Sequence, residues 1–535
     1  MMESEFPQEL QTQAYGILSS NDVEPLEAFF SHVFGSQEPQ RSQAYTFLHC
    51  CKKHFPHLLF KKLFFVIRCS PVSDTRSRSA LVLRYLKICD LWPTLSLIAQ
   101  NYMKSHFLVC LQEEVSMPTL RLLCGIVSEM GSEISKAGNE WPELMEFLLN
   151  SIQSDYEKLQ QSALWVLAYL PKGFRPVVCE ALVPSLEPLH SAILQALSSP
   201  NADIQVSAFG AVVSLIGLFM SSKGRNWFND LLRAMMVGLF NLLSHLKEEY
   251  ARGAVNELIM LVMDKPQILK PYLNHLVLDM LNVLECKKVT DETKLFVDKF
   301  LLAMSEATDL APMMRELPHE TIFRLLTTSM QLLLSIKDDN AWYNTESEQG
   351  ENDGKMDVYK SGILFLRKLS TALGEKRTLP ICFELFLGHM EATEWKERYA
   401  GISLLAVIAE ECSDEMVMRK GCLDQVIAII LKSFNDPHPR VCWAAFNFMQ
   451  QPTNLVQTMQ ILYHLKIVYA LDAALDQHRN PTVKEQVVSA LQYLLKNVPS
   501  DSLRMHTDLD GILWKLQKEP QKTDQNALAL RDLQL

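Results

Sequence analysis

The chain is 535 residues long, contains only 19 glycines, and carries a net charge of −11 and 12 cysteines. So little glycine over such a length, with alternating β-branched runs closed by Asn-Gly or Asp-Gly almost absent, excludes a β-rich fold and points to helix throughout. The acidic balance argues against a general nucleic-acid surface, and cysteines scattered without a CxxC pair read as small hydrophobes of a reducing compartment.

Taken in chain order, "MMESEFPQEL" lacks the basic-then-apolar layout of a secretory signal. Residues 1–28 are expected to form an N-terminal helical extension. From residue 29 a unit recurs. "LNSIQSDYEKLQQSALWVLAYLP" from Leu149 and "LQALSSPNADIQVSAFGAVVSLIG" from Leu194 share one plan. "FLGHMEATEWKERYAGISLLAVIAEEC" from Phe386, "LKSFNDPHPRVCWAAFNFM" from Leu431 and "LDQHRNPTVKEQVVSALQYLLKNVP" from Leu475 repeat it. Each has an apolar helix end, a short polar turn, and a second amphipathic helix with a small or compact residue in its early turns. Those residues are Ala44, Ala80, Cys124, Ala163, Ala208, Ala254, Val297, Gly362, Ala400, Ala445 and Val487, spaced 36, 44, 39, 45, 46, 43, 65, 38, 45 and 42 apart. Nearly all spacings fall close to the roughly 40–47 residues of HEAT or armadillo units. The expected fold is an all-α HEAT/armadillo-type solenoid of about 11 repeats, with the second helices lining a concave face. Asp203 and Asp436 are read as caps or turn formers, and Pro437 and Pro439 as helix starters.

The spacing of 65 contains "KDDNAWYNTESEQGENDGK", Lys337 to Lys355. It is too polar to bury itself and predicts an acidic flexible loop over 338–355, inside the eighth repeat. Repeats 1–7 and the first helix of repeat 8 are assigned to 29–337, repeats 8–10 to 356–449, and divergent helical repeats with a tail to 450–535. "AFGAVVSLIGLFM" (Ala208–Met220) is too short to span a bilayer and reads as buried helix, so no membrane partner is expected. GxxxxGK[ST], GxGxxG, HExxH and GxSxG do not occur, and the 14 histidines do not cluster with cysteines or carboxylates at ligand spacing. The expectation is a binding protein with no enzymatic role, no cofactor and no metal.

Particular stretches carry a resemblance. "EWKERYAGISLLAVIAEECSDEM" (Glu394–Met416) followed by "FNDPHPRVCWAAFN" (Phe434–Asn447), "WPELMEFLLNSIQSDYEKLQQSALWVLAYLP" (Trp141–Pro171) and "FFSHVFGSQEPQRSQAYTFL" (Phe29–Leu48) resemble importin-β-type karyopherins, in particular the importin-five (karyopherin beta three) branch. The resemblance covers about residues 29–449. It departs from the branch at Tyr45, where an acidic residue is usual, and after Asn447. Full members are about twice as long, so the sequence reads as a relative shortened at its C-terminus.

The resemblance implies nuclear import: a monomer shuttling between cytoplasm and nucleus, binding basic cargo signals and phenylalanine-glycine nucleoporins, and releasing cargo to Ran-GTP. Candidate cargo residues on the second helices are Glu257, Asp298, Trp395, Glu410, Trp443 and Asn447, as salt-bridge, stacking and hydrogen-bonding groups for an extended basic peptide. The competing role is a solvated face for the polar residues and inter-repeat packing for the tryptophans. Asp338, Asp339 and Trp342 in the acidic loop are candidates for contact with Ran or cargo, against a solubilising linker. Arg78, Arg84, Tyr85 and Glu129 are candidates for Ran, against an ordinary surface role. The rivals are a regulatory scaffold of the kind that organises a phosphatase and a tubulin-binding array. The second would need basic intra-repeat turns, and "SSPNAD" and "NDPHP" are not basic.

Overall fold

Close approach of two helices requires a small or compact side chain where they cross, and the eleven repeated positions meet that demand. Ala80, Cys124, Ala163, Ala208, Ala254, Val297, Ala400, Ala445 and Val487 are 0% exposed, and Ala44 and Gly362 are buried. A computed structural model describes residues 6–34, 38–170, 186–216, 225–336, 338, 358–498 and 511. Among them are 26 α-helices and no strand. They divide into two units, residues 1–264 and 265–535.

In the first unit, α1 (Gln8–Ser19) packs against the helices that follow, α3 and α4 below. Six antiparallel hairpins succeed it. They are α2 (Glu24–Val33) with α3 (Glu38–His54), α4 (Pro56–Cys69) with α5 (Ser73–Tyr85), and, after a short α6 (Ile88–Leu91), α7 (Leu97–Glu113) with α8 (Met117–Lys136). Then come α9 (Pro142–Ile152) with α10 (Glu157–Ala168), α11 (Leu186–Leu197) with α12 (Ala202–Ile216), and α13 (Arg225–Ser244) with α14 (Glu248–Asp264). The second helices α5, α8, α10, α12 and α14 touch in succession and form one row. The first hairpin begins at Glu24, so the expected boundary at residue 28 falls inside α2. Pro25 in its first turn, together with Leu26, Phe30 and Val33 on its buried side, explains the earlier start.

The second unit holds five hairpins. They are α15 (Leu273–Glu285) with α16 (Asp291–Glu306), and, after a short α17 (Ala311–Arg315), α18 (His319–Leu333) with α19 (Val358–Leu373). There follow α20 (Glu375–Met390) with α21 (Trp395–Glu411), then, after α22 (Ser413–Met418), α23 (Cys422–Ser433) with α24 (Pro439–Phe448), and finally α25 (Asn454–Gln477) with α26 (Pro481–Asn497). Here α16, α19, α21, α24 and α26 form the row of second helices. All eleven repeated positions lie on second helices, one per hairpin. At Gly362 the approach leaves no room for a side chain: a Cβ there would meet the Leu332 Cβ at 2.9 Å.

The turns show how hairpins are tied to one another. Arg398, the fourth residue of α21, donates to Ala392 and Thr393 carbonyls of its own turn and forks onto Asp436 of the next turn, at 2.7 and 2.9 Å. Arg76, the fourth residue of α5, repeats the arrangement with Ser70 and Glu114, the two carboxylate contacts being 2.8 and 2.7 Å. Burial alone would raise the Glu114 carboxyl, but the Arg76 fork and the Ser116 amide hold it below its ordinary value. Bidentate pairs in such sheltered positions fix register as well as distance.

Pro439 opens α24 as expected, with His438 as the capping residue and Asp436 accepting from the His438 amide at 2.9 Å. In the "SSPNAD" turn the residue that accepts is Asn201, which takes the Asp203 amide at 2.9 Å, while Asp203 itself lies in the first turn of α12. Asn201, one residue ahead of the helix, is placed to close that turn.

A groove on the second helices of the second unit

Three of the six cargo candidates come together. Glu410 on α21 and Trp443 and Asn447 on α24 line a groove of about 350 Å³ whose other walls include Tyr359, Arg367 and Tyr399. The helical rise explains the grouping. Glu410 is the penultimate residue of α21, and Trp443 and Asn447 are one turn apart on the neighbouring helix, where they share a face. Tyr359 from α19 shares a hydrogen bond with Ser403 at 3.0 Å and sets its ring 5.8 Å from that of Tyr399. Gln486 of α26 donates to Asn447 at 2.9 Å, leaving the Asn447 amide nitrogen for another acceptor. Arg367 Nη2 stands 2.5 Å from Glu410 Oε2. The groove thus offers aromatic faces, an amide and one carboxylate that already has a cation beside it.

The other candidates lie elsewhere. Trp395 is at the opposite end of α21 from Glu410, about 22 Å along the axis by helical rise. Its ring stacks flat on His438, centroids 3.9 Å apart and planes 1° off parallel, so it packs the turn. Asp298 is 2% exposed on α16, with both carboxylate oxygens buried and without a hydrogen-bond partner. It offers no surface to a peptide, and burial holds its carboxyl well above its ordinary value, with Lys294 only partly offsetting this. Its assignment to cargo is corrected accordingly: α16 packs against both α15 and α19, and Asp298 belongs to the buried side. Glu257 on α14 is half-buried, its carboxyl raised by burial and drawn back by the field of Arg121.

Of the acidic-loop candidates, Asp338 is 3.7 Å from His438 Nε2 and 3.8 Å from Arg440 Nε. Asp339 and Trp342 lie outside the described residues. In the first unit, Arg84 on α5 and Glu129 on α8 pair at 3.4 Å, and the Arg84 guanidinium also lies over the Tyr169 ring. Tyr85 is exposed and faces Tyr45 at 5.7 Å, while Arg78 pairs with Asp74 and covers Phe34.

Sequence reasoning missed Tyr359, Arg367 and Tyr399. A usable signal existed: Arg367 and Glu410 are about one repeat apart, as are Arg76 and Glu114, so an Arg set one period before an acid marks consecutive repeats in register. Among the described residues no group of three or more His, Cys, Asp or Glu is placed to hold a metal, and no helix is long and apolar enough to cross a membrane.

Comparison with known proteins adds to the geometry. The family described as IPO5-like, TPR repeats matches residues 118–278. Importin subunit beta-3 of Saccharomyces cerevisiae is 22% identical over 393 residues, covering 72% of this chain and 35% of that protein. The probable importin-5 homolog of Dictyostelium discoideum is 23% identical over 397 residues, with the same coverages. In sequence the chain is thus similar to importin-β proteins of the importin-5 branch. Crystal structures of Kap121p bound to Nup53p and of Kap121p bound to RanGTP superpose with TM-scores of 0.76 and 0.77, at 19% and 18% identity. Each covers 99% of this chain and 48% of that one, and the likeness shows a shared HEAT-repeat fold. The chain spans about a third of the length of these curated relatives and about half that of the solved ones.

Proposed function

We propose that this importin-β-type chain is a nuclear transport receptor that takes a basic segment of its cargo into the groove formed by α19, α21 and α24. The observation that carries the reading is the convergence of Glu410, Trp443 and Asn447 on successive second helices. A carboxylate, an aromatic face and an amide are the groups an extended Lys- or Arg-bearing peptide needs: a charge partner, a surface for the aliphatic stem, and a backbone hydrogen bond. The relatives support the direction, since Kap121p has been solved with RanGTP and with Nup53p, Ste12p and Pho4p. Glu257 is a weaker contributor, because its carboxyl is half-buried and its charge is discouraged.

Release is assigned to Ran-GTP acting on the N-terminal hairpins, where Arg78, Arg84, Tyr85 and Glu129 lie on α5 and α8. Asp338 at the root of the acidic segment is a further contact, with Asp339 and Trp342 in the sequence beyond it. The chain acts as a monomer, docks on phenylalanine-glycine nucleoporins, and divides its time between cytoplasm and nucleus. The test is a pulldown of the full chain with Ran locked in its GTP or GDP form, alongside binding of a lysine-rich peptide. Nucleotide-dependent capture of Ran, and peptide binding that Trp443→Ala weakens about tenfold, are expected. Capture that ignores the nucleotide, with no peptide affinity, would instead identify a non-enzymatic scaffold.

A further inference from the structure

We infer that Arg367 is an internal competitor for the groove, occupying the carboxylate that a cationic ligand would use; the inference rests on the groove reading above. Among the charged residues that line the groove, Glu410 is the one acid, against Lys360 and Arg367. Arg367 Nη2 sits on Glu410 at 2.5 Å, so the groove at rest presents a neutralised acid and a surplus of positive charge. A Lys or Arg side chain entering it meets repulsion until Arg367 leaves.

Three features make that departure easy. The pair is open to solvent, with 41% of the Arg367 side chain and 37% of the Glu410 side chain exposed. It is an ion pair in which Arg367 Nε takes no part. The Arg76–Glu114 and Arg398–Asp436 pairs each use Nε and Nη2 together, and their side chains are 5–14% exposed. The Arg367 Nε is also buried without a hydrogen-bond partner, a donor that loses nothing by moving into water. Those two forked, sheltered pairs fix neighbouring hairpins, whereas the Arg367–Glu410 pair is open and stands beside a groove. An exposed pair of that kind resists a competing ligand by no more than about fivefold.

The experiment measures the affinity of the full chain for a fluorescein-labelled lysine-rich decapeptide by anisotropy at one fixed salt concentration. Arg367→Gln should tighten binding about two- to fivefold. Lys360→Gln, which removes the same charge from the same groove without uncovering Glu410, should tighten it less. In a Glu410→Gln background the advantage of Arg367→Gln over Lys360→Gln should vanish, since there is no carboxylate to free. Equal gains from the two neutralisations, or a gain that survives in the Glu410→Gln background, would overturn the competitor role while leaving the groove as the binding site. If neither the wild type nor Arg367→Gln binds the peptide, the groove reading itself falls and the competitor with it.

Discussion

At the residue scale, a charge can be held in place or held in reserve, and the surroundings decide which. Asp298 shows the cost of burial without a partner: it lies inside α16 contacts with no donor to its oxygens. Its folded pKa is raised. Well below about pH 4, the folded and unfolded chains are both protonated there, and no penalty arises. As pH climbs above that, the unfolded chain ionises while the folded one keeps its proton, so wild-type stability is lost until the folded pKa is passed. Asp298→Asn should therefore gain on wild type by about 1.4 kcal/mol per pH unit through that window, and by little near pH 4. Thermal melts of both proteins near pH 4 and pH 7 check this; an identical Tm difference at the two would contradict the assignment. Burial likewise sorts the cargo candidates, since Glu410 is exposed enough to be reachable and Asp298 is not.

At the scale of the element, the second helices are set by how closely they approach their neighbours. Gly362 in α19 has no room for a methyl group, because the nearest atom, Leu332 Cβ, belongs to the rigid base of a side chain on α18. Gly362→Ala should destabilise by about 1–3 kcal/mol through forced displacement of the two helices. Gly388, near the end of α20, has nothing within 4 Å of the same added atom. There the substitution should stabilise by about 0.5–1 kcal/mol, from helix propensity alone. Opposite signs in the Tm of the two variants are the expected result; a loss at both would mean that backbone conformation, not space, governs these positions.

For the whole molecule, stability follows from neighbours. Each hairpin in a unit packs on those beside it in sequence, as α19, α21 and α24 do. In such arrays the free energy is close to a sum of repeat and interface contributions. Urea unfolding should accordingly give different midpoints by helical circular dichroism and by tryptophan fluorescence, because the tryptophans report only their own repeats. Coincident transitions by the two probes would show all-or-none coupling across the chain.

The sequence by itself determined the helical class, the repeat period and the side of each second helix that must be buried. Those properties follow from local periodicity and from the small or compact residues at eleven spaced positions. It also marked Glu410, Trp443 and Asn447, because position along a repeat is a local quantity. It did not separate Asp298 from them: a helix packed on two neighbours has a broad buried arc, and the polar residue's place on that arc depends on the angle at which the neighbours cross. Nor did it separate Trp395, whose partner His438 lies in the next hairpin's turn. The tertiary structure alone decided that Arg367 rests on Glu410, since two residues 43 apart meet only when consecutive repeats stack in register. Pairing of that kind is a property of the interface between hairpins, and no single repeat contains it.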